Sequence, residues 1–165
     1  MPFTSAQAAT VKAYILNPAN GLSGFTSGPG TDYGAIAAAM SADFSPAFVV
    51  FKSSIPSSAI GTTISYVALA AVTSANLTQL QVFLQLNPVS FPPTAGIRAF
   101  FATTFSGALG GEGQLTRDAL DALYRRNATR VEKILGSGTG TFAAPGTLTY
   151  EGGMSISDVA AMFNA

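Results

Sequence analysis

The uneven distribution of charge is the feature of this sequence that most constrains its fold. Nine of the sixteen charged residues lie between Glu112 and Lys133, whereas the first 97 residues carry only four. Within the charged segment, residues 115–135 have the periodicity of an amphipathic helix, with apolar side chains on one side and most charged side chains on the other. The sequence therefore predicts one helix that faces water, while most other segments are buried or use uncharged polar groups.

Low overall charge indicates a chain that associates. Only 10% of the residues are charged, against about 25% in a typical soluble domain. Eight basic and eight acidic residues cancel, so no net field attracts nucleic acid or an anionic membrane, and neutrality favours association over mutual repulsion. We therefore expect a surface that packs against copies of the chain or against a partner. An uncharged monomer with a surface of small residues is the alternative.

Local signals along the chain predict mainly helices. Thr4 and Gln7 have the spacing of a capping box, as do Ser155 and Asp158. Residues 48–51 and 62–72 fit either a strand or a helix. Helices are predicted, in chain order, after Thr4, from about Asp32 to Ser41, from Ser74 to Asn87, from Pro93 to Gly107, over 115–135, and after Ser155.

The segment after Leu135 predicts a β-hairpin. Gly136 lies where a helix commonly ends in a left-handed residue. Two short runs, Thr139–Phe142 and Thr147–Glu151, lie on either side of an Ala-Pro-Gly turn. Alternation in the second run is typical of a strand. The two runs are therefore expected to pair with each other.

Chain length and these elements together predict one domain. A chain of 165 residues is long enough for a sizeable core. The start has no signal-peptide pattern and no uncharged run is continuously apolar, so we expect a soluble chain made in the cytosol. The predicted fold is mainly α, a single compact domain of about five to six helices with a C-terminal β-hairpin. Its parts are a helical body over 1–135, the hairpin over 136–153 and a short terminal helix over 154–165.

The sequence predicts no catalytic, metal or cofactor site. The chain lacks His and Cys, which excludes Ser–His–acid and Cys–His nucleophiles, and it has no S-x-x-K motif. The acids Asp118, Asp121 and Glu132 lie among basic residues and are expected to form solvated ion pairs. The GSGTG motif at 136–140 lacks the spacing and the Lys of a phosphate-binding loop. We therefore expect no small-molecule substrate.

Arginines of the charged helix are candidates for subunit contacts. Arg126 and Arg130 fall together at the edge of the apolar arc, and Arg suits interfacial ion pairs. Nucleic-acid binding is the alternative, but nearby acids neutralise the cluster and no aromatic residues are interleaved with it. The expected hairpin adds an edge that a neighbouring subunit can extend by strand addition. The candidate interface comprises Arg126, Arg130, Thr139, Thr141, Phe142, Leu148 and Tyr150.

Three blocks of the sequence carry a resemblance to a known family. They are LTQLQ at 77–81, RAFFATTFSG at 98–107 and TRDALDALYRRNATRVEKILGSGTGTFAAPGTLTYEG at 116–152. With these blocks the chain resembles a family of small proteins that tailed bacteriophages and prophages encode in their structural regions. The resemblance is clearest from residue 98 onward. It implies a virion-associated protein, and it carries over no catalytic residue.

The composition and the resemblance lead to the same expected function. We expect a non-enzymatic virion structural protein of a tailed bacteriophage, present in many copies in the tail or the head–tail neck. Its partners are copies of itself and other virion proteins, and it is made in the host bacterial cytoplasm. A capsid decoration (cement) protein is the alternative within this class. An enzyme that acts on the host wall or nucleic acid, and a module that binds a host factor, are the alternatives from other classes.

Overall fold

The computed structural model describes residues 3–22, 32–108 and 110–164. These ranges are mostly helical, with 57% helix in nine α-helices and two small antiparallel sheets, which confirms the mainly α prediction. The chain divides into two compact units: unit 1 comprises residues 1–50 and 127–165, and unit 2 comprises residues 51–126. The single domain stays a prediction, and each unit is described by itself.

Side-chain caps define where most of the helices begin. Thr4 and Gln7 form the predicted capping box, and Asp32 accepts from the Ala35 N–H, as expected for residues whose oxygens satisfy unpaired N–H groups. In chain order the elements are α1 (Ser5–Leu16), α2 (Tyr33–Ser41), β1 (Val49–Phe51), β2 (Ile55–Pro56), α3 (Ser57–Thr63), α4 (Tyr66–Ala70), α5 (Ser74–Leu86), β3 (Ser90–Phe91), α6 (Ala95–Thr104), α7 (Glu112–Leu123), β4 (Arg125–Asn127), α8 (Arg130–Leu135) and α9 (Ile156–Asn164), with a 3-10 turn at Pro18–Asn20.

Unit 1 has its core between four helices. The fully buried apolar side chains come from α1, α2, α8 and α9 and include Val11, Ile36, Met40, Val131 and Val159. A smaller cluster of Phe48, Val50 and Ala128 lies under the loop of residues 137–146. Burying each Val, Ile, Met or Phe side chain of these clusters contributes about 1.5 to 3 kcal/mol to the free energy of folding.

Unit 2 has a core built on aromatic rings. Phe91, Phe101, Phe105 and Tyr124 are fully buried together with aliphatic residues of α3, α5 and α7. Strands β2 and β3 pair antiparallel, which sets Ile55 opposite Phe91. Phe101 and Thr104 of α6 and Phe105 directly after it are buried, so this side of the helix faces the core.

The long uncharged part of unit 2 is divided into short helices. Residues 62–72, which the sequence left open, contain the end of α3 and all of α4, and Ile64 between them is extended. By contrast, residues 49–51 form a strand. In the described ranges, no helix is both long and apolar enough to cross a membrane.

The charged segment forms two helices, so the prediction of one helix over 115–135 is wrong. Helix α7 ends at Leu123, strand β4 follows, and α8 begins at Arg130. Residues 125–127, between the two helices, form β4, which pairs with β1. Backbone groups that a continuous helix would need are therefore already paired with other parts of the chain.

Two backbone hydrogen bonds mark this break. In unit 2 the Lys52 N–H donates to the Tyr124 carbonyl at 2.9 Å, and in unit 1 the Ala128 N–H donates to the Phe48 carbonyl at 2.8 Å. Thr129 then caps α8. These tertiary bonds outweigh the helical periodicity of the segment.

Gly136 does not adopt the predicted left-handed conformation. Its backbone is extended, with φ −89° and ψ 170°, so that prediction is wrong. A Cβ at this position would lie 2.9 Å from the Glu132 carbonyl oxygen and 3.3 Å from the Phe48 ring. Lack of space explains the glycine here, and its φ angle does not.

The C-terminal hairpin is not confirmed. Ser137 and Thr147 exchange both backbone hydrogen bonds at 2.9 Å, which closes a loop with a single antiparallel bridge. Neither predicted run is a strand, because the loop backbone pairs with β1 instead. The Val49 N–H donates to the Gly140 carbonyl at 2.6 Å, and the Gly146 N–H donates to the Val49 carbonyl at 2.8 Å.

Candidate functional site

The two candidate arginines lie on different elements. Arg126 is in β4 and is partly exposed, whereas Arg130 is the first residue of α8 and its N–H donates to the Ala42 carbonyl at 2.9 Å. The Nε atom of Arg130 is buried and has no hydrogen-bond partner among the described residues. The helical wheel that placed them together does not apply, because the helix ends before either residue.

The loop of residues 137–146 presents three of the candidate interface residues. The Thr139 hydroxyl donates to the Ala144 carbonyl at 3.0 Å, and the Thr141 hydroxyl accepts from the Ala144 N–H at 3.0 Å. These bonds hold the two sides of the loop together near its tip. Phe142, between them, is 54% exposed. The loop therefore carries an apolar ring outward on a fixed backbone.

Leu148 and Tyr150 pack inside unit 1. Leu148 is half-buried against the cluster of Phe48, and Tyr150 stacks on Phe3 with 4.4 Å between ring centroids. The Tyr150 hydroxyl donates to the Gly153 carbonyl at 2.7 Å. Burial raises the pKa of Tyr150 above its ordinary value. Both side chains stabilise unit 1, and their contact with a neighbouring subunit stays a prediction.

The GSGTG motif encloses an aromatic ring. A Cβ at Gly140 or at Gly146 would overlap the ring of Phe48, and Gly140 also has a positive φ of 63°. The Lys133 ammonium lies 4.5 Å from the centroid of the same ring, within reach of a cation–π contact. We call Phe48 with Gly136, Gly140 and Gly146 the glycine cradle. It gives this motif a packing role in place of phosphate binding.

Glu132 is a buried structural carboxylate, so its prediction as part of a solvated ion pair is wrong. It is 1% exposed. One carboxylate oxygen accepts from the Thr129 N–H at 2.8 Å and the other accepts from the Gly152 N–H at 2.7 Å. The carboxylate thus fixes the start of α8 and the chain that returns to it. The T-x-x-E spacing of residues 129–132 is a capping-box signal that sequence reasoning missed.

Two other acids of the charged segment, Asp121 and Glu112, form separate contacts. Asp121 near the end of α7 and Arg125 in β4 form an ion pair at 3.2 Å. Glu112 accepts from the Ser65 hydroxyl at 2.8 Å. Within the described ranges, no three acidic, His or Cys side chains come together as a metal-binding group.

Tyr124 buries its hydroxyl in the aromatic core of unit 2. The side chain is 1% exposed, and the hydroxyl has no hydrogen-bond partner among the described residues. Burial, and to a lesser extent Asp121, raises the pKa of Tyr124, while Arg98 opposes the increase. The hydroxyl therefore stays protonated at neutral pH.

A groove of about 400 Å³ lies in unit 1 beside α1 and α9. Ala8, Ala9 and Ala161 are among the residues that line it, with Lys12 and Asp158. Both charged groups have contacts: the Lys12 ammonium lies 5.6 Å from the Phe163 ring centroid, and Asp158 accepts from Ser155. The groove is therefore lined by apolar side chains together with these two charged groups.

The arrangement as a whole holds a surface in shape. The buried Glu132 carboxylate caps α8 and fixes the returning chain, and the glycines of the cradle admit an aromatic ring. Comparison with protein-family models, with curated proteins and with solved structures found no match.

Proposed function

We propose that this chain is a non-enzymatic structural protein of a tailed bacteriophage particle, present in many copies in the tail or the head–tail neck. It would be made in the host bacterial cytoplasm and would assemble with copies of itself and with other virion proteins. The observation that carries the proposal is that the residues of the family-like blocks have packing roles. A mainly helical fold agrees with such a component only by analogy.

The RAFFATTFSG block supports this interpretation in unit 2. The Arg98 guanidinium lies 3.7 Å from the centroid of the Phe51 ring, and its side chain also donates to the Pro93 carbonyl. Phe101 and Phe105 are 1% exposed. The residues that mark the family in this block are therefore engaged in holding the unit together, which favours a structural protein over an enzyme.

The part of the third block from residue 127 onward supports it in unit 1. Thr129 and Glu132 form a capping box, and Gly140 and Gly146 admit the Phe48 ring. Each of these motif residues has a contact that explains its type. The outer side of the loop, with Thr139, Thr141 and Phe142, is exposed.

Mass spectrometry of purified, nuclease-treated particles of the parent phage tests the location. We expect a copy number well below that of the major capsid protein, as for a ring at the neck or a tail component. A copy number comparable with the major capsid protein would favour the cement alternative. Absence from particles would overturn the proposal.

A surface variant tests the role of the loop. We expect Phe142→Ser to reduce incorporation into particles while leaving the far-UV circular dichroism spectrum unchanged, because its ring is largely exposed. Leu16→Ser is the matched control, since Leu16 is a 44% exposed apolar residue at the end of α1. Equal incorporation of both variants would exclude the loop as a virion contact.

A further inference from the structure

Helix α5 of unit 2 exposes an uncharged apolar stripe. Of its 13 residues only Leu80 is fully buried. Val82 is 47% exposed and Leu86 is 75% exposed. A surface helix ordinarily places charged side chains on its outer face, yet α5 has none. The exposed face of α5 therefore lacks the charged side chains that usually hydrate the outer face of a surface helix.

A groove of about 390 Å³ lies beside this stripe. An apolar cavity of about 150 Å³ holds a benzene molecule, so this groove has room for more than one apolar side chain. Helices α5 and α6 supply its walls, and no lining residue is charged. The lining residues are Thr78, Gln79, Val82, Phe83, Leu86 and Phe100.

We propose that this face, the stripe with its groove, binds the same face of a second copy of the chain across a two-fold axis. The argument is one of charge complementarity. Residues 53–97 contain no Asp, Glu, Lys or Arg. An ordinary protein surface, with about 25% charged residues, would lose hydration at several charges here and gain no partner for them. A second copy of this face brings no charge.

The polar residues of the stripe point to the same occupant. A two-fold interface sets each surface against itself, so its groups must be able to pair with their own copies. The side-chain amides of Gln79 and Gln85 both donate and accept hydrogen bonds, so each can pair with its own copy. A Lys or Glu at either position would repel its copy. The composition of α5 therefore suits self-association.

The two-fold relation also fixes an arrangement. With antiparallel α5 helices that cross near Val82, Leu86 of each copy enters the groove of the other beside Gln79. Leu86 then becomes an apolar anchor on each side of the two-fold axis, in a contact whose rim is uncharged and polar, which is the usual anatomy of an interface. This association is a property of the isolated chain and holds wherever the protein functions.

Sedimentation velocity over a range of protein concentrations tests the proposal. We expect the wild-type chain to dimerise, and Leu86→Glu to raise the dimer dissociation constant by about a hundredfold, because a carboxylate would be buried without a partner. Ile156→Glu is the matched control, since Ile156 in unit 1 is a 60% exposed apolar residue at the start of α9. It should dimerise as the wild type does.

Crosslinking gives a readout that does not depend on the charged variant. The chain has no Cys, so Val82→Cys introduces a single thiol, which we expect to form a disulfide-linked dimer on mild oxidation faster than Ile156→Cys. A wild-type chain that is monomeric at every concentration would overturn the proposal. So would a dimer that Leu86→Glu leaves intact and Val82→Cys does not crosslink. Neither result bears on the presence of the chain in particles, which mass spectrometry measures separately.

Discussion

The glycine cradle of unit 1 and the aromatic core of unit 2 stabilise their surroundings in opposite ways. In the cradle, the Phe48 ring lies against the backbone of three glycines, which have no side chain to remove. In unit 2, Phe101 touches several other rings, among them Phe83 at 5.5 Å and Phe100 at 5.2 Å between centroids. The cradle depends on the absence of side-chain atoms at its glycines, whereas the core of unit 2 depends on the number of rings packed together.

This difference determines which substitutions each region tolerates. Adding one methyl group to the cradle leaves no room for Phe48. In the aromatic core of unit 2, by contrast, an exchange of one apolar side chain for another is partly accommodated by its neighbours. Removing a ring from unit 2 leaves a cavity that its neighbours fill only in part. A comparison of enlarging and truncating variants therefore separates the two regions.

Truncation of unit 2 is expected to have the largest effect. Phe101→Ala should lower the free energy of unfolding by about 4 kcal/mol, because the ring is fully buried and its loss leaves a cavity. Phe101→Leu should cost less than half of that, because Leu fills part of the space. Urea denaturation measures both. Equal losses for the two variants would mean that ring geometry, and not buried volume, stabilises this core.

Enlargement of the cradle comes next. Gly140→Ala should cost about 3 kcal/mol, since it combines overlap with Phe48 and a positive φ. Gly21→Ala isolates the backbone strain, about 1 kcal/mol, because Gly21 has φ 70° and open space. Gly146→Ala isolates the overlap, about 2 kcal/mol.

A double-mutant cycle checks the cause. In a Phe48→Leu background the cost of Gly146→Ala should fall, because the smaller side chain leaves room for the methyl group. The cost of Gly21→Ala should be the same in both backgrounds. An unchanged cost of Gly146→Ala would show that the Phe48 ring is not what requires a glycine at that position.

Local signals allowed much of the helical structure to be predicted. The caps at Thr4 and Asp32 lie three residues from the N–H groups that they accept, so the sequence contains both partners close together. The interruption at Tyr124 could not be read in this way. Its carbonyl pairs with Lys52, which is remote in sequence, and helical periodicity records nothing about such a partner.

The role of the candidate site was obscured for the same reason. The glycines at 140 and 146 look like a loop by composition, and nothing near them in the sequence names Phe48 as the ring that they admit. Glu132 was different, because its capping partner Thr129 is local and the T-x-x-E spacing was available. Its second partner, the Gly152 N–H, required the folded chain.

Removing the hydroxyl from each of two buried tyrosines, one in each unit, should change the free energy of unfolding in different directions. Tyr150→Phe should lower the free energy of unfolding by about 1 kcal/mol, because its hydroxyl donates to the Gly153 carbonyl. Tyr124→Phe should be neutral or stabilising by up to about 1 kcal/mol, because the buried hydroxyl has no partner among the described residues. Thermal or urea denaturation at neutral pH measures both, and a clear loss for Tyr124→Phe would reveal a hydrogen bond at that hydroxyl.

Tyr124 also affects how stability changes at high pH. Burial raises the folded-state pKa of Tyr124 above its ordinary value of 10.0. A raised folded pKa means that its contribution to stability is complete below pH 10.0 and is lost as the pH rises toward the folded pKa. Tyr124→Phe should therefore flatten the alkaline decline in stability. A decline as steep as in the wild type would assign that decline to other groups.

The smallest effect is expected at the cap of α9 and concerns only unit 1. The Ser155 hydroxyl donates to Asp158, and its hydrogen bond, with that of the Ser155 N–H, lowers the pKa of Asp158 below its ordinary value of 3.8 despite partial burial. Because the folded pKa is depressed, this contribution is complete above pH 3.8 and is lost as the pH falls through the folded pKa. Asp158→Asn should cost about 0.5 to 1 kcal/mol at neutral pH and nothing in acid.

Unit 2 supplies the control for this last effect. Helices α5 and α6 are capped by the hydroxyls of Thr73 and Thr94, which do not titrate in this range. NMR amide shifts followed against pH should therefore show a transition at the start of α9, with a midpoint below 3.8, and no matching transition at the starts of α5 and α6. A midpoint at or above the ordinary pKa would mean that the Ser155 hydrogen bonds do not favour the charged carboxylate. A matching transition in α5 would mean that acid acts on unit 2 through groups other than its helix caps.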